Sequence, residues 1–464
     1  MPAPEAFDVV VIGAGPAGVN AAVAAALAGR RVAIAEKAPA VGGAAINTGT
    51  VPSKTLRETA LALSGLRTRD LYGVDLSMRR QCTVTDLLRH EHAVMTTEQT
   101  QTTGLLTGYG ISLVHGTARF VDSHTVAVGD DRVLRGESII IAIGSKPARP
   151  DIFPFESPKV HDSDELVNLG EIPKTLAVIG AGVIGSEYAC MFAALGVTVH
   201  LIDGRDSLLP FLDLEVSQRL AKAMTELGIV FHWKEQVTTC SAPEVGDVCL
   251  TLTSGRVLDV GAALVAAGRV SPTEVLNPDA AGLLVGKRGV LSVDDHFRTN
   301  VKHIYAVGDV IGFPALASTS AEQGRIAAAH ACGDPAVFTM PGIFPTGIYT
   351  IPEVGTVGET EGSLKGKGID YVVGRADYSR SARGKIIGDR SGFLKLLFRR
   401  SDLALLGAHA MGEQATELIH LGLMALHTGA RAELFRRICF NYPTLADLYT
   451  LATHDAWLAA QRRR

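Results

Sequence analysis

The 464-residue chain has six cysteines, at 82, 190, 240, 249, 332 and 439, and no two form a Cys-x-x-Cys pair. No Cys/His group has zinc spacing, so the expectation is no metal and no local dithiol. Scattered single thiols point to buried packing in a reducing compartment. Long apolar runs are also missing. Residues 9–27 come nearest, but they lack a basic start and are broken by Gly13, Gly15, Pro16 and Gly18. They read as neither signal peptide nor membrane span. No charge sign dominates: 44 Lys and Arg stand against 48 Asp and Glu, a net charge of −4. This excludes a general attraction to nucleic acid or anionic membrane. The terminal Arg462-Arg463-Arg464 is a local basic tail, and it reads as a solvated end. A cytoplasmic protein is expected.

Glycine is abundant, with 49 residues. That exceeds the usual level of about 7% and has no collagen-like period, so it signals tight turns. The length suits about three domains.

Residues 8–18 read DVVVIGAGPAG. An apolar strand at 9–12 enters the turn, an alanine-rich helix follows at 19–28, and a second strand at 32–35 ends in Glu36. Gly13 permits the tight turn, Gly15 lets backbone approach a pyrophosphate, and Gly18 allows close helix–strand packing. The helix N-terminus then faces the phosphates. Glu36, 23 residues after Gly13, can accept from a ribose 2′-hydroxyl. The same grammar returns at 176–203 with Gly180, Gly182, Gly185 and Asp203, again 23 residues after the first glycine. Two complete units imply two dinucleotides. Asp203 alone favours NAD over NADP. Arg205, two residues on, either pairs with a 2′-phosphate or merely solvates a loop. A third signal, residues 304–331, is an apolar strand ending at Gly308-Asp309 before a small-residue helix. An aspartate placed there can hold a hydroxyl of an extended ligand.

Together these motifs resemble the pyridine nucleotide-disulfide oxidoreductase family. IIIAIGSKP (139–147), VAAGRVSPT (265–273) and IYTIPEVGTVGETE (348–361) are similar to its further landmarks. The resemblance implies an α/β fold: two Rossmann-like dinucleotide-binding domains plus a C-terminal α+β interface/dimerisation domain. Residues 1–150 and 275–337 would bind FAD, 151–274 NAD(P), and 340–464 a second copy of the chain. The proline-rich 146–158 and the segment 333–345 would be the crossovers. The polar stretch 56–105 would cover the flavin domain as helix, with apolar Leu61, Leu63, Leu66, Leu87 and Leu88. FAD contacts would come from Gly13, Gly15, Gly18, Glu36, Gly43, Thr50, Lys54, Gly144, Gly308, Asp309 and Ala317. NAD(P) contacts would come from Gly180, Gly182, Gly185, Asp203, Arg205 and Gly268.

The active segment departs from the family pattern. Gly42, Gly43, Pro52, Ser53 and Lys54 match it, but Ala45 and Thr50 stand where the redox cysteines belong. Neither residue forms a thiolate or a mixed disulfide, which excludes dithiol chemistry there. Near the C-terminus Tyr442 takes the place of the proton-shuttling histidine, and Asp447 roughly that of its supporting acid. A tyrosine of pKa about 10 is a poor shuttle at neutral pH. Thr50 and FNYPT (440–444) are similar to the soluble pyridine nucleotide transhydrogenase branch, although many of its members keep the first cysteine that Ala45 replaces.

That resemblance implies FAD-dependent, Si-specific hydride transfer between NADPH and NAD⁺, ping-pong through one nicotinamide site. Lys54 would stabilise charge beside the flavin, Glu187 would pair with Lys54, and Tyr442 would close the partner's pocket or pack at the interface. A homodimer or higher oligomer is implied. An NAD(P)H diaphorase passing electrons to a quinone needs the same parts, and a non-catalytic flavin redox sensor is a third reading. His409, His420, His427 and His454 are expected at the surface or in packing.

Overall fold

The computed structural model describes residues 3–65, 84–165, 170–334 and 339–462. Leu66, Cys82, part of the segment 333–345, Arg463 and Arg464 lie outside the described residues.

Three sheets organise the chain, and the first two are built around the glycine turns. Strand Glu5–Ile12 sits inside a seven-stranded sheet, with Val32–Glu36 on one side and Arg132–Ile141 on the other, both parallel to it. Both faces are covered, which is why Val9–Ile12 is a continuous apolar run. Ile304–Ala306, the strand of the third signal, pairs with Arg132–Ile141 in the same sheet. The helix after the first turn spans Pro16–Leu27 and starts three residues earlier than the sequence pattern indicates. Proline at a first helical position supplies the right φ and lacks only an N–H that would go unused. Helix Ala317–Ala331 packs against it so closely that a Cβ on Gly324 would lie 2.1 Å from the Ala17 carbonyl oxygen.

The second sheet repeats this plan. Five parallel strands run in the order Val230–Trp233, Thr198–Asp203, Thr175–Ile179, Ala262–Val265 and Val160–Asp162. The three-stranded antiparallel sheet Val237–Ser241, Val248–Leu252 and Val257–Val260 packs its apolar side against it. Two short strands, Lys146–Pro147 and Arg269–Val270, pair where the chain crosses between the first two sheets.

The third sheet is antiparallel, in the order Thr346–Ile348, Val354–Gly358, Leu405–Met411, Phe393–Arg399 and Tyr371–Asp377. Helices Ala415–His427 and Asp447–Gln461 pack on it. The polar stretch 56–105 is helical in Thr50–Leu63 and Val84–Gly108, where Leu61 and Leu87 enter the core and Leu88 packs against it. Among the described residues no helix is long and apolar enough to cross a membrane.

Of the described cysteines only Cys190 follows the packing expectation fully. Cys190 is buried, and burial pushes its thiol up to about 12. Cys439 is exposed, and Cys240, Cys249 and Cys332 are half-buried. The flanking residues set these environments, and no local pattern in the sequence marks them. His420, His427 and His454 are exposed, whereas His409 is fully enclosed.

Candidate functional site

The first glycine turn is shaped for a ligand with phosphates. Gly13 has φ 104°, and a Cβ there would lie 2.4 Å from the Ala142 carbonyl oxygen. A Cβ on Gly18 would lie 1.8 Å from the Gly13 oxygen. Gly43 approaches Gly15 so closely that its Cβ would lie 2.8 Å from the Gly15 Cα, leaving a groove walled by backbone. Helix Pro16–Leu27 begins at Gly15 with no side-chain cap. Its first N–H groups are open to an anion, where the helix dipole also favours negative charge. Beside this cradle Glu36 accepts from Ala14 N–H at 2.7 Å and from Ala38 N–H at 2.8 Å. These features fit the pyrophosphate and ribose of a dinucleotide such as FAD.

Further along the sheet edge, Gly308 N–H donates to Gln323 Oε1 at 2.8 Å. The Asp309 carboxylate accepts from Ser145 Oγ at 2.7 Å. Arg269 donates from Nε to that Ser145 Oγ at 2.8 Å and from Nη1 to Asp164 at 2.9 Å. Gly144 precedes this knot with φ 66°. Ala317 opens helix Ala317–Ala331, whose N-terminus also lacks a side-chain cap. The sequence reading missed Ser145, Asp164 and Arg269, because their contacts join segments more than 100 residues apart.

The second turn reproduces the first. Gly180 has φ 103° and lies against the Ala266 oxygen. Helix Val183–Ala194 starts uncapped at Gly182, where a Cβ would meet open space. Asp203 accepts from Ala181 N–H at 2.6 Å, as Glu36 does from Ala14. Arg205 bonds the same carboxylate from Nε at 2.8 Å and Nη2 at 2.6 Å. Burial opposes ionisation of Asp203, but these Arg205 bonds hold its pKa below the usual carboxylate value. Gly268, with φ 101°, lies in the turn between strands Ala262–Val265 and Arg269–Val270.

A Cβ on Gly185 would lie 1.9 Å from the Gly180 oxygen. Gly185→Ala is therefore expected to push the helix off its turn at a cost of about 1–3 kcal/mol. On the expectation that this cradle holds the nicotinamide nucleotide and the first one FAD, nicotinamide nucleotides should bind about 10–100-fold more weakly, while flavin absorbance per chain stays unchanged. Calorimetric titration beside a visible spectrum checks both halves.

Between the two cradles lies the departed active segment. Ala45 falls in the short helix Gly43–Asn47, and Thr50 opens helix Thr50–Leu63. One turn on, Lys54 Nζ reaches Glu187 Oε2 at 2.6 Å, across to helix Val183–Ala194. Glu187 is 6% exposed and its other oxygen accepts from Tyr349 N–H at 2.9 Å. The Lys54 ammonium also lies 4.9 Å from the Tyr349 ring centroid. Arg57, on the same helix, donates to the Thr350 carbonyl at 3.0 Å and faces Glu353 at 3.4 Å. Segment 349–353 thus straps the active-segment helix to the third sheet. The sequence reading took IYTIPEVG only as the opening of a domain and missed Tyr349. Tyr442 is 72% exposed on the segment before helix Asp447–Gln461. Among the described residues no hydrogen bond ties it to Lys54 or Glu187.

Comparisons with known proteins match this geometry. The family model for the pyridine nucleotide-disulphide oxidoreductase matches residues 7–324, and the model for the dimerisation domain of such proteins matches 344–453. A protein of Mycobacterium tuberculosis named soluble pyridine nucleotide transhydrogenase is 44% identical over 454 residues, 97% of each chain. One of the same name from Ectopseudomonas mendocina is 40% identical, covering 97% of this chain and 98% of its own. Among solved structures, LpdA from Mycobacterium tuberculosis superposes with a TM-score of 0.88 at 26% identity, covering 96% of this chain and 99% of its own. The HOCl-induced flavoprotein disulfide reductase RclA from Escherichia coli gives 0.87 at 28%, covering 96% and 100%. With its two glycine cradles and its third sheet matched over nearly their whole length, the chain belongs to the pyridine nucleotide-disulphide oxidoreductases, a family that is FAD-dependent and uses NAD(P)H.

Proposed function

We propose that this chain is a soluble, Si-specific transhydrogenase that moves hydride between NADPH and NAD⁺. One observation carries the reading. The Lys54–Glu187 pair is closed at 2.6 Å between two dinucleotide cradles, while Ala45 and Thr50 hold the thiol positions. The two glycine cradles are kept, while the dithiol and the shuttling histidine of the family pattern are both replaced. The relatives' shared name supports the same activity.

Residues 1–150 and 275–337 would hold FAD, through the groove of Gly13, Gly15, Gly18 and Gly43, through Glu36, and through Asp309. When bound, FAD supplies a two-electron relay between the nucleotides. Residues 151–274 would hold NADPH and NAD⁺ in turn, so ping-pong kinetics are expected. Lys54 contributes positive charge where negative charge arrives with the hydride, and Glu187 fixes its position. Residues 340–464 would pair two copies. The exposed apolar side chains Met424, Leu434, Ile438 and Tyr442 support that role. Tyr442 would then reach the partner's pocket. We place the enzyme in the cytoplasm, where both nucleotide pools are found.

The test is an anaerobic mixture of holoprotein, NADPH and thio-NAD⁺, read as thio-NADH absorbance. Sustained turnover without quinone or disulfide is the expected result. Bleaching of the flavin without thio-NADH formation would replace this reading with a diaphorase.

A further inference from the structure

The acid that ends strand Thr198–Asp203 is already compensated. Its carboxylate takes four hydrogen bonds: one from Ala181 N–H, and three from Arg205 through its backbone N–H, Nε and Nη2. Asp203 and Arg205 are thus close to a neutral unit. A phosphate monoester brings about −1.5 to −2 charges at pH 7. Arg205 alone, committed to Asp203, does not balance that charge. A second cation is needed beside the same loop.

The neighbouring strand supplies one. Val230–Trp233 runs parallel to Thr198–Asp203, with Trp233 opposite Asp203. The next residue, Lys234, has φ 59°, which turns the chain out of the strand. Lys234 N–H donates to the Arg205 carbonyl at 3.0 Å, and Glu235 N–H to that of Asp203 at 3.1 Å. These bonds fix the Lys234 backbone beside the Arg205 loop. Gly204 keeps the two layers close, since a Cβ there would lie 3.0 Å from Gln236 Nε2. The Lys234 side chain is 73% exposed, and its ammonium faces Asp206 at 3.6 Å. Such an exposed pair holds weakly, so the ammonium is available to a better anion. Glu235 is engaged elsewhere, by Thr253 Oγ1 and Ser254 N–H.

We propose that Lys234 is the second cation of a 2′-phosphate site, facing Arg205 across the phosphate, with Asp206 as its resting counter-ion. Lys234 then sets how strongly this chain prefers NADP(H) to NAD(H). The inference rests on residues 176–205 being the nicotinamide nucleotide site.

The experiment is calorimetry on the holoprotein with 2′,5′-ADP and with 5′-AMP, which differ by the phosphate alone. Lys234→Ala is expected to weaken 2′,5′-ADP about tenfold, the scale of one charge-assisted bond, and to change 5′-AMP less than about twofold. Asp206→Asn should strengthen 2′,5′-ADP, because it frees the ammonium. In steady state, Lys234→Ala should raise KM for NADPH with kcat intact. Equal weakening of both probes would mean a structural role for Lys234 and would overturn the inference, as would unchanged 2′,5′-ADP binding. Wild-type protein that binds neither probe would instead remove the nucleotide-site reading beneath it.

Discussion

Lys395→Ala is expected to cost about 3–5 kcal/mol, the scale for removing one partner of a buried ion pair, and to loosen the second sheet's domain from the third. Lys395 is fully buried on strand Phe393–Arg399. Its ammonium meets Asp213 at 2.6 Å, Glu361 at 2.5 Å and Glu215 at 3.1 Å. Asp213, 1% exposed, also caps helix Leu214–Glu226 by accepting Glu215 N–H, and accepts Glu361 N–H with its other oxygen. Arg219 adds an ion pair to Asp377 at 2.9 Å and lies over the Phe393 ring. The three carboxylates lie close enough together to hold a metal ion, and the lysine ammonium supplies the positive charge among them. Without it, buried Asp213 loses its cation, and Arg375 and Arg219 remain to offset Glu215 and Glu361 beside it. Lys395→Met retains the bulk but should lose nearly as much stability. Adding Asp213→Asn and Glu361→Gln to Lys395→Met should recover part of the loss, because no uncompensated pair of charges is left. Urea unfolding followed by nucleotide-dependent fluorescence measures each variant.

The pH dependence of that deficit has a definite sign. Burial opposes the charge of Lys395, but hydrogen bonds to Asp213 and Glu361 hold its pKa above the ordinary 10.5. Burial also opposes ionisation of Asp213, Glu215 and Glu361. Lys395, together with Arg375 at Glu215, nevertheless holds all three below their ordinary 3.8 and 4.5. The carboxylate contribution is complete above those ordinary values and is lost as pH falls through the depressed ones. The lysine contribution is complete below 10.5 and is lost as pH rises through its raised value. The difference between wild type and Lys395→Ala should therefore be widest across neutral pH and narrow at both ends.

This network also marks where sequence reading stops. The glycine turns were legible because each needs a fixed spacing along one strand, one turn and one helix. Gly18 and Glu36 act on neighbours 22 residues away or nearer, as do Gly185 and Asp203, although Gly13 and Gly180 also press on Ala142 and Ala266 from a distant strand. Lys54 with Glu187 spans 133 residues, and only a family resemblance linked them. Lys395 and Asp213 are 182 residues apart, and no motif joins them. The one local sign was a lysine inside the apolar run FLKLLF, a residue that stays buried only when paired. His409 was read as surface or packing. It is enclosed between Thr356 Oγ1 at 2.6 Å and the Glu359 carbonyl at 2.9 Å. Burial holds its pKa below the usual value despite nearby Asp213. Contacts of this kind depend on which strands become neighbours, and strand order is a property of the whole chain.

Lys54→Ala is expected to slow hydride uptake by the bound flavin about 100–1000-fold, the scale for removing one preorganised charge at a reacting centre. In the proposed reaction Lys54 has a narrow task. Its stem rises from the second turn of helix Thr50–Leu63, its ammonium is held by Glu187 from one side, and the Tyr349 ring lies beneath it. It needs no reorientation when charge arrives, which is the condition for electrostatic catalysis rather than simple binding. NADPH affinity should therefore change less than about threefold while the limiting rate of flavin bleaching collapses, as measured by anaerobic stopped flow across NADPH concentrations. A structural role predicts the reverse split: weaker binding, lower flavin content and a preserved limiting rate. Glu187→Gln separates the two further. It keeps one carbonyl oxygen, which can accept from Tyr349 N–H or from Lys54 but not from both, and it removes the opposing charge. If Glu187 only positions the ammonium, the loss should stay near tenfold, well short of that in Lys54→Ala. Lys54→Arg should rescue charge but not reach, because a planar guanidinium does not fit the point contact that a 2.6 Å ammonium–carboxylate pair makes. Partial recovery in Lys54→Arg with a full defect in Lys54→Met would assign the effect to charge. Equal defects in both would assign it to packing over Tyr349 and remove Lys54 from the chemistry.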